Sequence, residues 1–218
     1  THAVEKKFDE LKTDLADGLR TIAMISVLAT TGLIVLAYPI SRVFVGEIPS
    51  AIALGNVVIA MVIGLLPFSY VFMIQRAFYS LEDTRTPFLF TLVQTFLNVI
   101  GSILIAIYVN HIWIVVGLSL VTSGTILVQA ILAFLMFKRK FGSLGHSHLG
   151  IATAKFVSAA IVAGLIGFAI LQGMGGANPG AFPVLSVLAS GLTCALIGAV
   201  MGLVYLIMLK VLRVPEVE

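Results

Sequence analysis

The chain of 218 residues is 60% hydrophobic and 11% charged, with a mean hydropathy of +1.13. So few polar side chains cannot cover a water-soluble domain of this length, so the composition excludes a soluble globular fold and points to segments solvated by lipid. The net charge of +3 is divided among short connectors between apolar runs instead of forming one basic surface, which argues against a nucleic-acid partner.

In chain order, Phe8, Leu11, Leu15, Leu19 and Ile22 recur every three or four residues among charged neighbours. That spacing predicts an amphipathic helix over 1–20. It would lie along the inner membrane interface before the chain turns into the bilayer, or pack on a part of the protein outside this chain. About 20 helical residues cross a hydrocarbon core, and six stretches qualify: 21–40, 51–75, 88–109, 112–137, 151–172 and 182–209. Their apolar residues run all round the segment rather than alternating, so helices fit and barrel strands do not. The expected class is all-α, a polytopic membrane helix bundle of six transmembrane helices. Four of these lie in 21–137, a basic loop covers 138–150, the last two lie in 151–211, and a tail follows over 212–218. The start at THAVEKKF, without an initiator Met or signal peptide, suggests a piece of a longer chain.

Cytoplasmic connectors retain Lys and Arg. One side of the predicted bundle holds Lys6, Lys7, Lys12, Arg20, Arg76, Arg85, Lys138, Arg139, Lys140, Lys155, Lys210 and Arg213, and the other holds Arg42. Both ends of the chain are therefore expected on the cytoplasmic side, with Lys155 reaching the inner surface by snorkelling.

No Asp, Glu, Lys or Arg lies near the middle of a predicted span, which removes the usual basis of a proton relay. The third and fourth spans instead carry polar stripes. Thr91, Gln94, Asn98 and Gly101 or Ser102 share one helix face; Ser119, Thr122, Thr125 and Gln129 share another. Asn98 and Thr122 are each twelve residues from Asn110 in the turn between the spans, so they should lie at similar depth. These stripes form either an interhelical hydrogen-bonded seam or the wall of a water-accessible cavity. In the sixth span, Gly191, Ala195, Gly198, Ala199 and Gly202 predict close helix packing or a shallow groove for a lipid chain. Gly64 and Pro67 should kink the second span and offer a hinge.

His146 and His148 stand two residues apart without a nearby third ligand, a poor metal site. The lone Cys194 permits no intramolecular disulfide. With no nucleophile–base pair and no phosphate-cradling loop, neither catalysis nor a cofactor is indicated, and no metal is expected.

The connector RAFYSLEDTRTPFL, Arg76 to Leu89, places Arg76, Glu82, Asp83 and Arg85 between two apolar runs. Thr86 suits an N-cap and Pro87 a first helical residue. The two arginines can pair with Glu82 and Asp83 or with lipid phosphates. RAFYSLEDTRTP, preceded by GLLPFSYVFMIQ and followed by an apolar helix carrying Asn98, resembles the corresponding segment of the MurJ (MviN) family, the lipid II flippases of bacterial peptidoglycan synthesis. GLSL at Gly117–Leu120 and the basic KRKFG that follows the fourth span are similar too.

The resemblance implies a fourteen-helix transporter fold of the MOP exporter superfamily, of which this chain would supply about helices nine to fourteen. Its first four spans would complete the second lobe, and its last two would be the lipid-tail groove pair. It also implies a bacterial cytoplasmic-membrane location and alternating-access export of lipid II, the undecaprenyl-linked precursor. Implied partners are membrane lipids and the missing N-terminal lobe of the same protein, with a cytoplasmic regulatory domain or cell-wall synthesis proteins as further candidates. On that reading Arg76, Glu82, Asp83, Arg85, Thr86 and Pro87 belong to a cytoplasmic gate or its connector. Gln94, Asn98, Ser102, Thr122, Thr125 and Gln129 belong to a cavity wall or seam. Some relatives carry a membrane carboxylate near the position of Ser102, where this chain has none. The rival readings are another exporter of the superfamily, for polysaccharide-linked lipids or drugs, and a membrane scaffold that recruits cell-wall partners.

Overall fold

The computed structural model describes residues 2–142, 146–176, 178 and 180–214, with the backbone alone for 2–11 and 146–148. Its helices are α1 (His2–Val35), α2 (Ala37–Phe44), α3 (Ile48–Val62), α4 (Leu65–Ser80), α5 (Arg85–Tyr108), α6 (Ile114–Phe141), α7 (His146–Gly173), α8 (Phe182–Leu185) and α9 (Val187–Val211), with a 3-10 turn at His111–Trp113. Five described helical segments are long and apolar enough to cross a membrane, six if Ile48–Val62 and Leu65–Ser80 count as one broken span.

Proline decides where helices restart. Pro39, Pro49, Pro67, Pro87 and Pro183 all fall in the first turn of a helix, where the missing N–H has no intrahelical partner to lose. Behind Pro39 and Pro67 the preceding helix has ended by Val35 and Val62, because a continuing helix would press each ring against the carbonyl four residues back. The first expected span therefore stops at Val35, not Ile40, and the second is two helices. The sixth begins at Val187, where Ser186 caps α9 by accepting from the Ala189 N–H at 3.2 Å.

Two other expectations change. Helix α1 runs unbroken from His2 to Val35, so no turn separates the amphipathic segment from the first span. The basic residues 138–140, expected in a loop, form the last turn of α6, and α7 begins at His146.

The chain divides into two compact units, residues 1–26 with 63–153 and residues 27–62 with 154–218. In the first, Leu15 and Leu19 of α1, Val71, Ile74 and Phe78 of α4, Phe90 of α5, and Ala133 and Phe137 of α6 share one buried cluster. Phe78 is its centre, with ring centroids 5.7 Å from Phe137, 5.7 Å from Phe141 and 6.3 Å from Phe90. Tyr70 meets Phe134 edge-on at 5.6 Å and hydrogen-bonds Thr153 at 2.9 Å. The phenylalanine ring of Phe78 thus ties α4 to both following helices.

In the second unit, Phe156, Ala159, Ala160 and Ala163 of α7 and Ile197, Met201, Tyr205 and Leu209 of α9 are buried. Gly167 lets α7 approach α9: a Cβ there would stand 2.5 Å from Met201 Sδ. Arg42 donates to the carbonyls of Val184, Val45 and Gly46, fixing the turn after α2. Lys155 donates to Leu212 O at 3.0 Å and holds the end of α9, where a cation is favourable.

Candidate functional site: the connector and the polar seam

The connector after α4 is a compact joint built mainly from backbone. Glu82 N–H bonds Tyr79 O and Asp83 N–H bonds Phe78 O, each at 3.0 Å, which satisfies two carbonyls that the helix end leaves open. This closure requires the left-handed region at Glu82, where φ is 58°, a conformation that glycine adopts more readily.

Asp83 then launches α5. Its carboxylate accepts from the Arg85 and Thr86 N–H groups at 3.2 Å each and from Thr86 Oγ1 at 2.6 Å. Asp83 therefore does the capping that the sequence suggested for Thr86. Helix α5 starts at Arg85, two residues earlier than expected, with Pro87 third instead of first. The same carboxylate receives Lys140 Nζ of α6 at 2.7 Å. The Lys140 ammonium and then the Thr86 hydroxyl hold the Asp83 carboxyl down at about 2.

With Asp83 engaged in this way, Arg76 and Arg85 form no ion pair with it or with Glu82 among the described residues. Arg76 stacks over Phe72, 4.6 Å from the ring centroid, and borders an open cavity of about 220 Å³ with Asp14, Leu15, Met73, Ala77 and Ser80. Arg85 borders a second open cavity of about 460 Å³ with Thr84, Phe88 and Leu89.

The stripes of α5 and α6 meet as a ladder of side-chain hydrogen bonds. Asn98 Nδ2 donates to Thr122 Oγ1 at 3.2 Å and Thr125 Oγ1 at 3.3 Å; Gln94 Nε2 reaches Thr125 Oγ1 at 3.4 Å. One end is closed by Gln129 and Gln75, which donate to Thr91 Oγ1 at 3.1 and 3.3 Å. Ser102 is half-buried and stands outside the ladder among the described residues. Gly101 and Gly117 permit the approach, since a Cβ would meet Val121 at 2.6 Å or Ile105 at 2.8 Å.

Gly64 stands beside the break before α4. A Cβ there would lie 3.0 Å from Ser123 Cα of α6, so this expected hinge residue is also a close-packing residue. Gly191, Gly198 and Gly202 do not make the expected close packing within the described residues. A Cβ on Gly198 finds only Leu36 Cδ1 at 4.0 Å, and the other two find nothing within 4 Å. The buried face of α9 carries Thr193, Ile197, Met201, Tyr205 and Leu209 instead. The side chains of His146 and His148 lie outside the described residues.

Sequence reasoning missed Lys140 as the partner of Asp83 and Gln75 as the fourth-helix contribution to the seam. The run of basic residues in the last turn of α6 was the available signal for Lys140, but a partner 57 residues away is fixed only by helix register.

The sequence model of the family described as lipid II flippase MurJ matches residues 1–210. This chain belongs to the MurJ lipid II flippase family. The fold agrees: a solved structure of lipid II flippase MurJ in an inward closed conformation superposes with a TM-score of 0.68 at 18% sequence identity. That superposition covers 94% of this chain and 40% of the other, so the chain spans less than half the length of the solved MurJ. No curated protein matches the sequence. Membership in a transporter family and the apolar helices together make this a multi-pass membrane protein.

Proposed function

We propose that this chain is the C-terminal part of a flippase that moves lipid II, the undecaprenyl-pyrophosphate-linked peptidoglycan precursor, from the inner to the outer leaflet of the bacterial cytoplasmic membrane. The carrying observation is the family match over residues 1–210. The shared fold supports it.

Transport proceeds by alternating access. A charged sugar-pyrophosphate head cannot cross hydrocarbon without prohibitive desolvation, so it passes through an internal polar cavity while the polyprenyl tail stays in lipid. The absent N-terminal lobe supplies the cationic part of that cavity. Asn98, Thr122, Thr125, Gln94 and Gln129 hold α5 and α6 in register beside it. The connector of Arg76, Glu82, Asp83, Arg85, Thr86 and Pro87 serves at the cytoplasmic gate, and the break at Gly64–Pro67 is the hinge. The open side of Gly191, Gly198 and Gly202 accepts the lipid tail. Both ends of the chain lie in the cytoplasm on this reading, which the twelve-to-one distribution of basic residues supports.

The test is complementation. Bacteria depleted of their own lipid II flippase receive the full-length parent gene, and survival and inward-facing lipid II are followed. Rescue with lipid II returning to its undepleted distribution is expected. Normal expression and insertion without rescue would move the assignment to another substrate of the exporter superfamily.

A further inference from the structure

We propose that Arg85 and the exposed face of α5 below it form a binding site for an anionic bilayer phospholipid, with the headgroup phosphate on Arg85 and an acyl chain along the helix. The neighbouring carboxylate is engaged elsewhere: Asp83 holds Lys140, Thr86 and the first amides of α5. The helix N-terminus is therefore already capped, and an incoming anion must be held by side chains. Of the residues that line the cavity of about 460 Å³, two carry side-chain donors, the Arg85 guanidinium and the Thr84 hydroxyl, and neither is committed to a hydrogen bond among the described residues.

The other walls of that cavity are apolar, formed by Phe88 and Leu89, which are 63% and 49% exposed. A small hydrated anion has no use for such walls, whereas the glycerol and first methylenes of a phospholipid do. From Phe88 the track continues at helical spacing through Leu92, Phe96, Val99, Ile103 and Ile107, each more than half exposed. Arg85 to Ile107 spans about 33 Å at 1.5 Å per residue, close to the roughly 30 Å hydrocarbon thickness. Charge at one end and an apolar track of membrane length together fit a phospholipid. Lipid II transport is not needed for this inference.

The test uses the full-length protein in phosphatidylcholine vesicles containing a trace of phosphatidylglycerol photoactivatable near its headgroup, with the labelled peptide mapped after illumination. Label is expected on the peptide carrying Thr84 to Phe96. Arg85→Ala should reduce it about fivefold, the loss of one interfacial cation, while Arg85→Lys retains most of it. Arg85 is exposed, and an unchanged size-exclusion profile confirms that the variants fold. Equal labelling in Arg85→Ala would reduce the contact to ordinary surrounding lipid and overturn the site. Absence of label from this peptide would mean that another part of the full-length protein covers α5. Loss of label on adding inorganic phosphate would assign the cation to a free anion; either result also overturns it.

Discussion

Against α4, helix α6 offers Phe134 and Phe137; against α5 it offers Thr122, Thr125 and Gln129. The first interface is ring on ring, and the second is hydroxyl on amide. In lipid neither gains from the hydrophobic effect as a soluble core would, because the tails outside are as apolar as the residues inside. Packing must therefore carry the aromatic interface. The polar one adds direction, since each hydrogen bond fixes which amide faces which hydroxyl. The difference assigns strength to the α4 side of α6 and register to the α5 side.

The comparison can be broken most strongly at Phe78, which is fully buried and touches three other rings. Phe78→Ala should cost about 3–5 kcal/mol, read as a lowered midpoint in detergent-driven unfolding of the full-length protein. A loss no larger than that of a seam variant would erase the distinction. Next comes Gly64→Ala, whose new methyl meets the backbone of Ser123; overpacking of this kind costs about 1–3 kcal/mol. Gly198→Ala, facing open space, should stay within about 0.5 kcal/mol. Thermal aggregation midpoints of the two alanine variants check the pair, and equal shifts would contradict the assignment of close packing to Gly64.

On the polar side, Asn98→Leu removes two hydrogen bonds of roughly 0.6 kcal/mol each. A loss of about 1 kcal/mol is expected in unfolding, together with altered cross-linking between cysteines placed on α5 and α6. A small effect belongs to the ion pair of Asp83 and Lys140, whose ammonium is half exposed and which stabilises by 0 to about 1 kcal/mol. Because the Asp83 carboxyl is lowered to about 2 in the folded chain, its contribution is fully present above the ordinary carboxylate range near 4 and is lost as pH falls towards 2. Unfolding midpoints measured down that range should converge for the parent and Asp83→Asn. A gap that persists at the lowest pH would mean that the carboxylate's charge is not what matters.

The helices were readable because a chain solvated by lipid writes its spans as uninterrupted apolar runs. The seam was readable as well, since Asn98 and Thr122 count back to one turn and the stripes repeat at helical spacing. Helix interruptions were only partly legible. Pro67 announced a disturbance, but Pro39 and Ser186 act through first-turn geometry that an apolar run conceals. Close packing was the least legible. GxxxG spacing drew attention to Gly198 and Gly202, yet Gly64, Gly101, Gly117 and Gly167 lie where another helix comes near. Which glycine meets a neighbour depends on how each helix is rotated, and spacing along one helix does not contain that. The Asp83–Lys140 pair was hidden for the same reason.

The most direct measurement of the central claim is lipid II translocation by the purified full-length protein in proteoliposomes, followed as loss of fluorescent lipid II from the leaflet in which it was placed. Protein-dependent movement of lipid II, absent for a polysaccharide-linked undecaprenyl lipid without the muropeptide, is the predicted result. Movement of the second lipid with lipid II left in place would contradict the account.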